Sequence, residues 1–189
     1  MFFRSTMKKL LLSLLLMSGF ANAEIIVFDL VDVQIERTTK RVKQSANEKV
    51  KNHILSLYDK VPEKDVDEII DNVMIFSKKY DLEPGLLLGL IESESGFQKG
   101  ISNGYGARGV MQVVQRIHHK RVSEHLKKNG GNIYALNNNI EIGSKLLRDM
   151  IDIKGSVLGG LKMYKGSNSP KYYQKVFRLK NKYDNLLSI

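Results

Sequence analysis

From Val61 onward, apolar residues recur every three or four positions, which places them on one face of a helix. Pro84 suits the first turn of one such stretch, and Gly155 ends another. No internal repeat or low-complexity tract interrupts the pattern. It predicts a single mainly α domain over residues 64–189, with helices at 63–80, 84–95, 138–155, 156–166 and 169–187.

Residues 24–63 look like a short N-terminal appendage to this domain. Residues 24–37 mix apolar, β-branched and acidic positions, which predicts a strand or an irregular lead-in. Residues 38–60 carry apolar positions at near-helical spacing with lysines between them. They predict either a basic, solvated helix packed on the main domain or an arm that docks on the wall or a partner. Pro62 ends this helix.

The first 23 residues have the organisation of a signal peptide. Arg4, Lys8 and Lys9 precede a short apolar run, and Ala21-Asn22-Ala23 matches the small-x-small pattern of a cleavage site. The run is too short for a permanent bilayer span. We therefore expect export to the periplasm or cell envelope, with no stable membrane span after signal removal. The alternative is an uncleaved N-terminal anchor.

Composition narrows the class of partner. The 189 residues contain no cysteine, so the core alone must hold the fold. The formal charge is +10, and three of these positive charges lie in the predicted signal peptide, which leaves +7. A basic exported protein suits an anionic polymer or a membrane surface. Nucleic acid is a poor partner outside the cytoplasm, and we expect none.

Helical phase separates two neighbouring glutamates. Because each helical residue advances about 100°, Glu94 falls within about 40° of Leu87 and Leu90, on the apolar stripe. Glu92 falls about 160° away, which predicts a surface charge. A carboxylate among apolar side chains is costly to ionise, and a general acid must hold its proton. Glu94 is thus a catalytic candidate, although it could instead cap a loop or pair with a lysine.

The residues after Glu94 predict a loop that approaches a ligand closely. Five glycines lie within residues 96–109, but no GK[ST] follows, so this is not a P-loop. In the apolar segment 109–114, Gln112 is a polar exception that could hold a sugar's N-acetyl or hydroxyl group or satisfy a loop carbonyl. His118, His119 and His125 lie in a lysine-rich stretch, for which we expect a surface helix and no metal site.

These residues resemble the signature of the SLT-domain lytic transglycosylases, whose lysozyme-like fold is shared with goose-type lysozyme. Residues 94–97 (ESGF) look like the catalytic ES-x-F block, and residues 106–112 (GARGVMQ) look like GA-x-GLMQ. Residues 139–147 resemble the N-[IV]-x-x-G-x-x-[YL]-L helix. Weaker blocks follow at 161–166 and 172–176. The resemblance covers residues 64–180.

The chain departs from the family pattern at several positions around the expected groove. Val114-Gln115 replaces the usual Met-Pro, and Lys165 stands where the family has the Asn of YN-x-G. Asn103 takes the slot of a common Ser, with Ser102 beside it, and Asn168 takes that of an acidic residue. These changes leave Glu94 intact and put the specificity of the groove in doubt.

The resemblance implies cleavage of the β-1,4 bond between N-acetylmuramic acid and N-acetylglucosamine in peptidoglycan, with Glu94 as acid and then base. It implies no cofactor. No second acid suggests itself, since Glu124 lies in a basic segment where we expect a solvated helix. For Tyr164, a purely structural role in the core is the alternative. The residues assigned to substrate are Gln112, Tyr164, Ser102, Asn103, Met111 and Asn139.

Two other functions stay open from the sequence. One is a hydrolytic muramidase of the same fold, in which water replaces the C6-hydroxyl as acceptor. The other is a non-enzymatic module that binds peptidoglycan glycan strands or assists assembly. For the transglycosylase, the resemblance also suggests local gap formation for a secretion, conjugation or motility apparatus.

Overall fold

The computed structural model describes the backbone of residues 21–188 and the side chains of residues 30–188. Most of the predicted signal peptide, residues 1–20, lies outside the described residues. The described part is mainly α, as predicted, with one two-stranded antiparallel hairpin in which Ala107 pairs with Val114. Its elements are α1 (Ala21–Leu57), α2 (Glu63–Lys79), α3 (Pro84–Ser95), β1 (Ala107–Arg108), β2 (Val113–Val114), α4 (His119–Asn129), α5 (Leu136–Lys154), α6 (Val157–Lys165) and α7 (Pro170–Leu187).

Helices α2, α3, α5, α6 and α7 lie where the apolar pattern predicted them, and α4 is the helix expected in the lysine-rich stretch. Pro84 occupies the first turn of α3. The Ser156 side chain caps α6 by accepting a hydrogen bond from the Gly159 N–H at 3.1 Å. Gly155 and Gly166 end α5 and α6 in the left-handed conformation. Local chemistry therefore sets these helix ends.

The predicted strand or irregular segment at residues 24–37 is wrong, because these residues belong to α1. A helix satisfies its backbone hydrogen bonds within the segment, whereas a strand needs a neighbouring strand. The hydroxyls of Thr38 and Thr39 donate to carbonyls four residues earlier, both at 2.8 Å. β-Branched residues are thus accommodated in this helix.

The chain divides into two compact units between Ser45 and Ala46. The last turns of α1 belong to the larger unit, where Ala46, Val50 and Ile54 are buried. The compact unit thus begins before residue 64, where the sequence analysis set its boundary. Within residues 21–188, none of the helices combines the length and apolar character that a membrane span requires.

Helix α3 is the central helix of the larger unit. Its residues from Gly85 to Glu92 are all buried, and it packs most extensively on α7. Two glycines make this close packing possible: a Cβ on Gly85 would lie 2.0 Å from Asp184 Oδ1, and one on Gly89 would lie 2.8 Å from the Lys180 backbone N. A helix that is apolar on every side is buried on every side.

The prediction that Glu92 is a surface charge is wrong. Its side chain points away from Glu94, as the phase predicts, but that direction is also covered by protein, and only 8% of Glu92 is exposed. The Tyr58 hydroxyl donates to Oε1 at 2.9 Å, and the Tyr183 hydroxyl donates to Oε2 at 2.5 Å. Burial, followed by the bond to Glu92, raises the pKa of Tyr58 to about 12 and also raises the pKa of Tyr183.

Replacing Tyr183 with Phe tests whether this buried carboxylate depends on its donors. Tyr183 is fully buried, so the substitution leaves a lone pair of Glu92 without a partner. We expect the free energy of unfolding to fall by about 1–3 kcal/mol, measured by urea denaturation. Tyr105→Phe is the matched control, because this side chain is 82% exposed and should change stability little. Equal effects for the two variants would contradict the assignment.

Candidate active site

Glu94 lies in the last turn of α3, where the helix meets the glycine-rich loop. Gly96 ends the helix in the left-handed conformation, with its N–H donating to the Glu92 carbonyl at 3.1 Å. The Ser95 hydroxyl donates to the Ile91 carbonyl and accepts from the Phe97 N–H. Phe97 is fully buried although its φ is +65°. These contacts fix the turn and leave the Glu94 side chain 10% exposed.

Two side chains from the α6–α7 region approach the Glu94 carboxylate. The Tyr172 hydroxyl donates a hydrogen bond to Oε1. The Lys165 Nζ lies 3.9 Å from Oε2 and 4.6 Å from the centroid of the Tyr172 ring. Burial and the nearby Glu94 charge raise the pKa of Tyr172, so the phenol keeps its proton and acts as a donor. The carboxylate is therefore oriented by a neutral donor and flanked by a cation.

Tyr164 links α6 to the predicted substrate loop. Its hydroxyl donates to the Met111 carbonyl at 2.8 Å, and the ring is part of the core packing. Burial, with the Glu94 charge as the second cause, raises the pKa of Tyr164. From the sequence, a site role and a core role are both open for this tyrosine. The structure shows core packing and an electrostatic connection to Glu94.

Asn139 anchors the segment at residues 106–112, which resembles the family's GA-x-GLMQ block. Its Oδ1 accepts from the Met111 N–H at 2.8 Å, and its Nδ2 donates to the carbonyls of Arg108 and Ile133 at 2.9 and 2.8 Å. Gly109, at φ +74°, is needed here because a Cβ would lie 2.3 Å from Asn139 Nδ2. This amide therefore holds the loop by contacts that an apolar side chain could not make.

The assignment of Met111 and Asn139 to direct substrate contact needs correction. Both side chains are fully buried, so neither presents surface to a sugar. Met111 instead fills the space above Gly143, where an added Cβ would lie 2.5 Å from the Met111 Sδ. These two residues support the loop at residues 106–112 from the protein interior.

The other loop residues lie nearer to solvent. The Gln112 Nε2 donates to the carbonyls of Gly109 at 2.9 Å and Ile101 at 3.3 Å, and its Oε1 faces the Asn103 amide at 3.4 Å. The Asn103 Oδ1 accepts from the N–H groups of Tyr105 and Ala107. Of the two roles left open for Gln112, the structure shows bonding to loop carbonyls. Ser102 and Asn103 are exposed, Ser102 beside Arg108 in an isolated bridge.

The histidine-rich segment begins at His118, the residue before α4, and continues through that helix. His119 is exposed, while His125 is half-buried, with Nε2 at 3.1 Å from Asn138 Oδ1. Burial lowers the pKa of His118. Among the side chains that the structure describes, no group of three His, Cys, Asp or Glu residues could hold a metal ion.

Tyr172 is the site residue that sequence reasoning missed. In the sequence it falls in the weak block at residues 172–176, which predicts no role for its hydroxyl. Its place at the start of the closing YYQKV block, which resembles a family block, was the available indication. Periodicity could not distinguish it from Tyr173, because only the packing of α7 on α3 brings one hydroxyl to Glu94.

In a comparison with protein families, the family model described as the transglycosylase SLT domain matches residues 71–181, more than half of the chain. The chain therefore belongs to the SLT-domain family, and its fold is lysozyme-like. Membership implies, in general terms, lytic transglycosylase activity on peptidoglycan, which lies outside the cytoplasm. No curated protein and no solved structure matches the chain.

Replacing Asn139 with Ala tests the anchoring of the loop. The change leaves the Met111 N–H and two carbonyls without partners in a buried place. We expect unfolding to become easier by about 2–4 kcal/mol, measured by chemical denaturation. The matched control is Asn137→Ala, an exposed position two residues earlier in the same helix. If Asn137→Ala lowered the free energy of unfolding as much, the loss would reflect a general effect on α5 and would contradict the anchoring role of Asn139.

Proposed function

We propose that this protein cleaves the β-1,4 bond between N-acetylmuramic acid and N-acetylglucosamine, and that Glu94 is its catalytic acid and base. One observation carries the proposal. The Glu94 side chain lies at the C-terminal end of the buried helix α3 and is 10% exposed, and the neutral Tyr172 hydroxyl donates to one of its oxygens. The second oxygen remains available to a substrate. Membership of the SLT family supplies the substrate class.

The reaction needs one group that first donates and then accepts a proton. Glu94, in its acid form, protonates the glycosidic oxygen as the bond from C1 to that oxygen breaks. The acetamido carbonyl of the same muramyl residue stabilises C1. The C6-hydroxyl oxygen then bonds to C1, and its proton returns to Glu94. The product is a 1,6-anhydro sugar, and no water is consumed.

Three other glutamates have partners of their own or lie exposed, which supports the scheme with one acid. Glu92 is held by two tyrosines on the other side of α3. Glu141 pairs with Lys79 at 2.5 Å. Glu124 is exposed on α4. A hydrolytic muramidase would use a second carboxylate about 5–10 Å from the first to activate water.

The proposed setting is the cell envelope, after export directed by residues 1–23. Peptidoglycan glycan strands are the substrate that the family implies. Local gap formation for a secretion, conjugation or motility apparatus is part of the proposal, since such machines must pass through the wall.

Digestion of purified sacculi by the wild type and by Glu94→Gln tests the proposed role directly. The amide keeps the shape of the side chain but cannot supply a proton. We expect release of 1,6-anhydro muropeptides by the wild type and a decrease of at least about 100-fold in the variant, measured by mass spectrometry. Glu124→Gln, at an exposed carboxylate, is the matched control and should retain activity.

Each result distinguishes among the three functions. Products with reducing ends would show a hydrolytic muramidase. No release by the wild type, together with an unchanged cellular phenotype for Glu94→Gln, would favour a non-enzymatic wall-binding module.

Replacing Tyr172 with Phe tests the orienting hydrogen bond. Removing one donor to the carboxylate should lower kcat by about 10- to 100-fold, because bonds to charged groups are the stronger ones. The ring packing is retained, so KM should change little. Steady-state kinetics on soluble glycan strands provides both constants, with the thermal midpoint as a check on folding. An unchanged kcat would remove Tyr172 from the mechanism.

A further inference from the structure

We infer that Lys165 binds an anionic group of the peptidoglycan strand beside the scissile bond and thereby sets a preference for negatively charged glycans. This inference rests on the proposed function of Glu94. The group recognised is a carboxylate, which peptidoglycan offers in its stem peptides or, where these have been removed, on the lactyl ether of the muramyl residue.

The position of Lys165 is unusual for a surface lysine. Its side chain is 36% exposed, at the end of α6, and its Nζ lies over the Tyr172 ring at 4.6 Å from the centroid. The distance of 3.9 Å to Glu94 Oε2 exceeds hydrogen-bond length, so the ion pair is loose. An ammonium group has three donors, and this one has room for a further acceptor.

The catalytic cycle changes the charge that faces Lys165. While Glu94 is ionised, the two side chains attract one another. When Glu94 takes up the proton that it must later donate, this attraction is lost and the ammonium faces a neutral acid. A carboxylate from the substrate would then be the natural partner of the ammonium group.

The surrounding sequence has the charge that such a substrate requires. Between Asp152 and Asp184 the chain contains no acidic residue. This stretch runs from the end of α5 through α6 and most of α7. It carries eight positive side chains: Lys154, Lys162, Lys165, Lys171, Lys175, Arg178, Lys180 and Lys182. Apart from Lys180, which pairs with Glu83 and Asp184, most of them are exposed. A one-sign surface attracts anionic polymers and concentrates them near the site.

The residue type also differs from the one that the family resemblance leads one to expect here, an asparagine. Asn offers a neutral amide that both donates and accepts, whereas Lys offers a charge and only donors. The substitution therefore changes what the end of α6 can recognise, from a neutral polar group to an anion. Position, charge and residue type point to the same ligand class.

The test compares native glycan strands with strands whose carboxylates have been amidated. For the wild type we expect kcat/KM to be about tenfold higher on the native strands, the size expected for one charge-assisted hydrogen bond. Lys165→Asn should reduce that ratio to below about twofold, mainly by lowering activity on the native strands. Lys165→Arg should restore most of it.

Lys127→Asn is the matched control: it removes one exposed positive charge from α4, so its ratio should stay at the wild-type value. Strands stripped of stem peptides identify the source of the carboxylate: retained preference indicates the lactyl group, and lost preference indicates the stem. A wild-type ratio in Lys165→Asn, or no preference in the wild type, overturns the inference.

Failure of the proposed function would be recognised separately. It would appear as the absence of anhydro products from every strand. Even then, the charge preference can be measured by binding. Native and amidated strands are bound to Glu94→Gln and to the double variant that also carries Lys165→Asn. Equal preference in both variants would count against Lys165 whatever the reaction.

Discussion

The close packing of α3 against α7 is the constraint on which the site depends. Gly85 and Gly89 let the two helices approach to a distance that no side chain with a Cβ would allow. Because α7 lies so near, Tyr172 and Tyr183 reach glutamates on opposite sides of α3. One tyrosine satisfies a buried carboxylate, and the other orients the carboxylate at the open end of the helix. The same helix pair thus provides stability and positions the chemistry.

The loop at residues 109–112 depends on a different kind of interaction, namely hydrogen bonds from buried side chains. A loop with left-handed Gly109 and a left-handed Gln112 at φ +48° is unfavourable unless neighbouring groups hold it. Asn139 supplies three hydrogen bonds to this region, and the Tyr164 hydroxyl holds the Met111 carbonyl. The block at residues 106–112 is therefore held in its conformation largely by these hydrogen bonds.

Much of the fold could be predicted from the sequence, because helix positions follow from apolar spacing and from local residues such as Pro84 and Ser156. The helical phase of α3 also separates Glu94 from Glu92, and the two carboxylates meet different tyrosines in the structure. The surface position predicted for Glu92 is wrong, because helical phase gives the direction of a side chain and does not show whether another helix covers that side. The burial of Met111 and Asn139 and the contact of Tyr172 likewise arise from tertiary packing, which periodicity does not encode.

The two glutamates of α3 differ in how deeply they are buried and in how many donors their oxygens meet. Glu92 is the more buried, but both its oxygens accept from tyrosines and no path to substrate remains. Glu94 has one fixed donor and one oxygen facing only a loosely placed lysine. A catalytic carboxylate needs an unfilled side on which a proton can be exchanged. Under the proposed function, Lys165 stands on that side of Glu94, so the oxygen left for proton exchange lies beside the cation proposed to select the substrate.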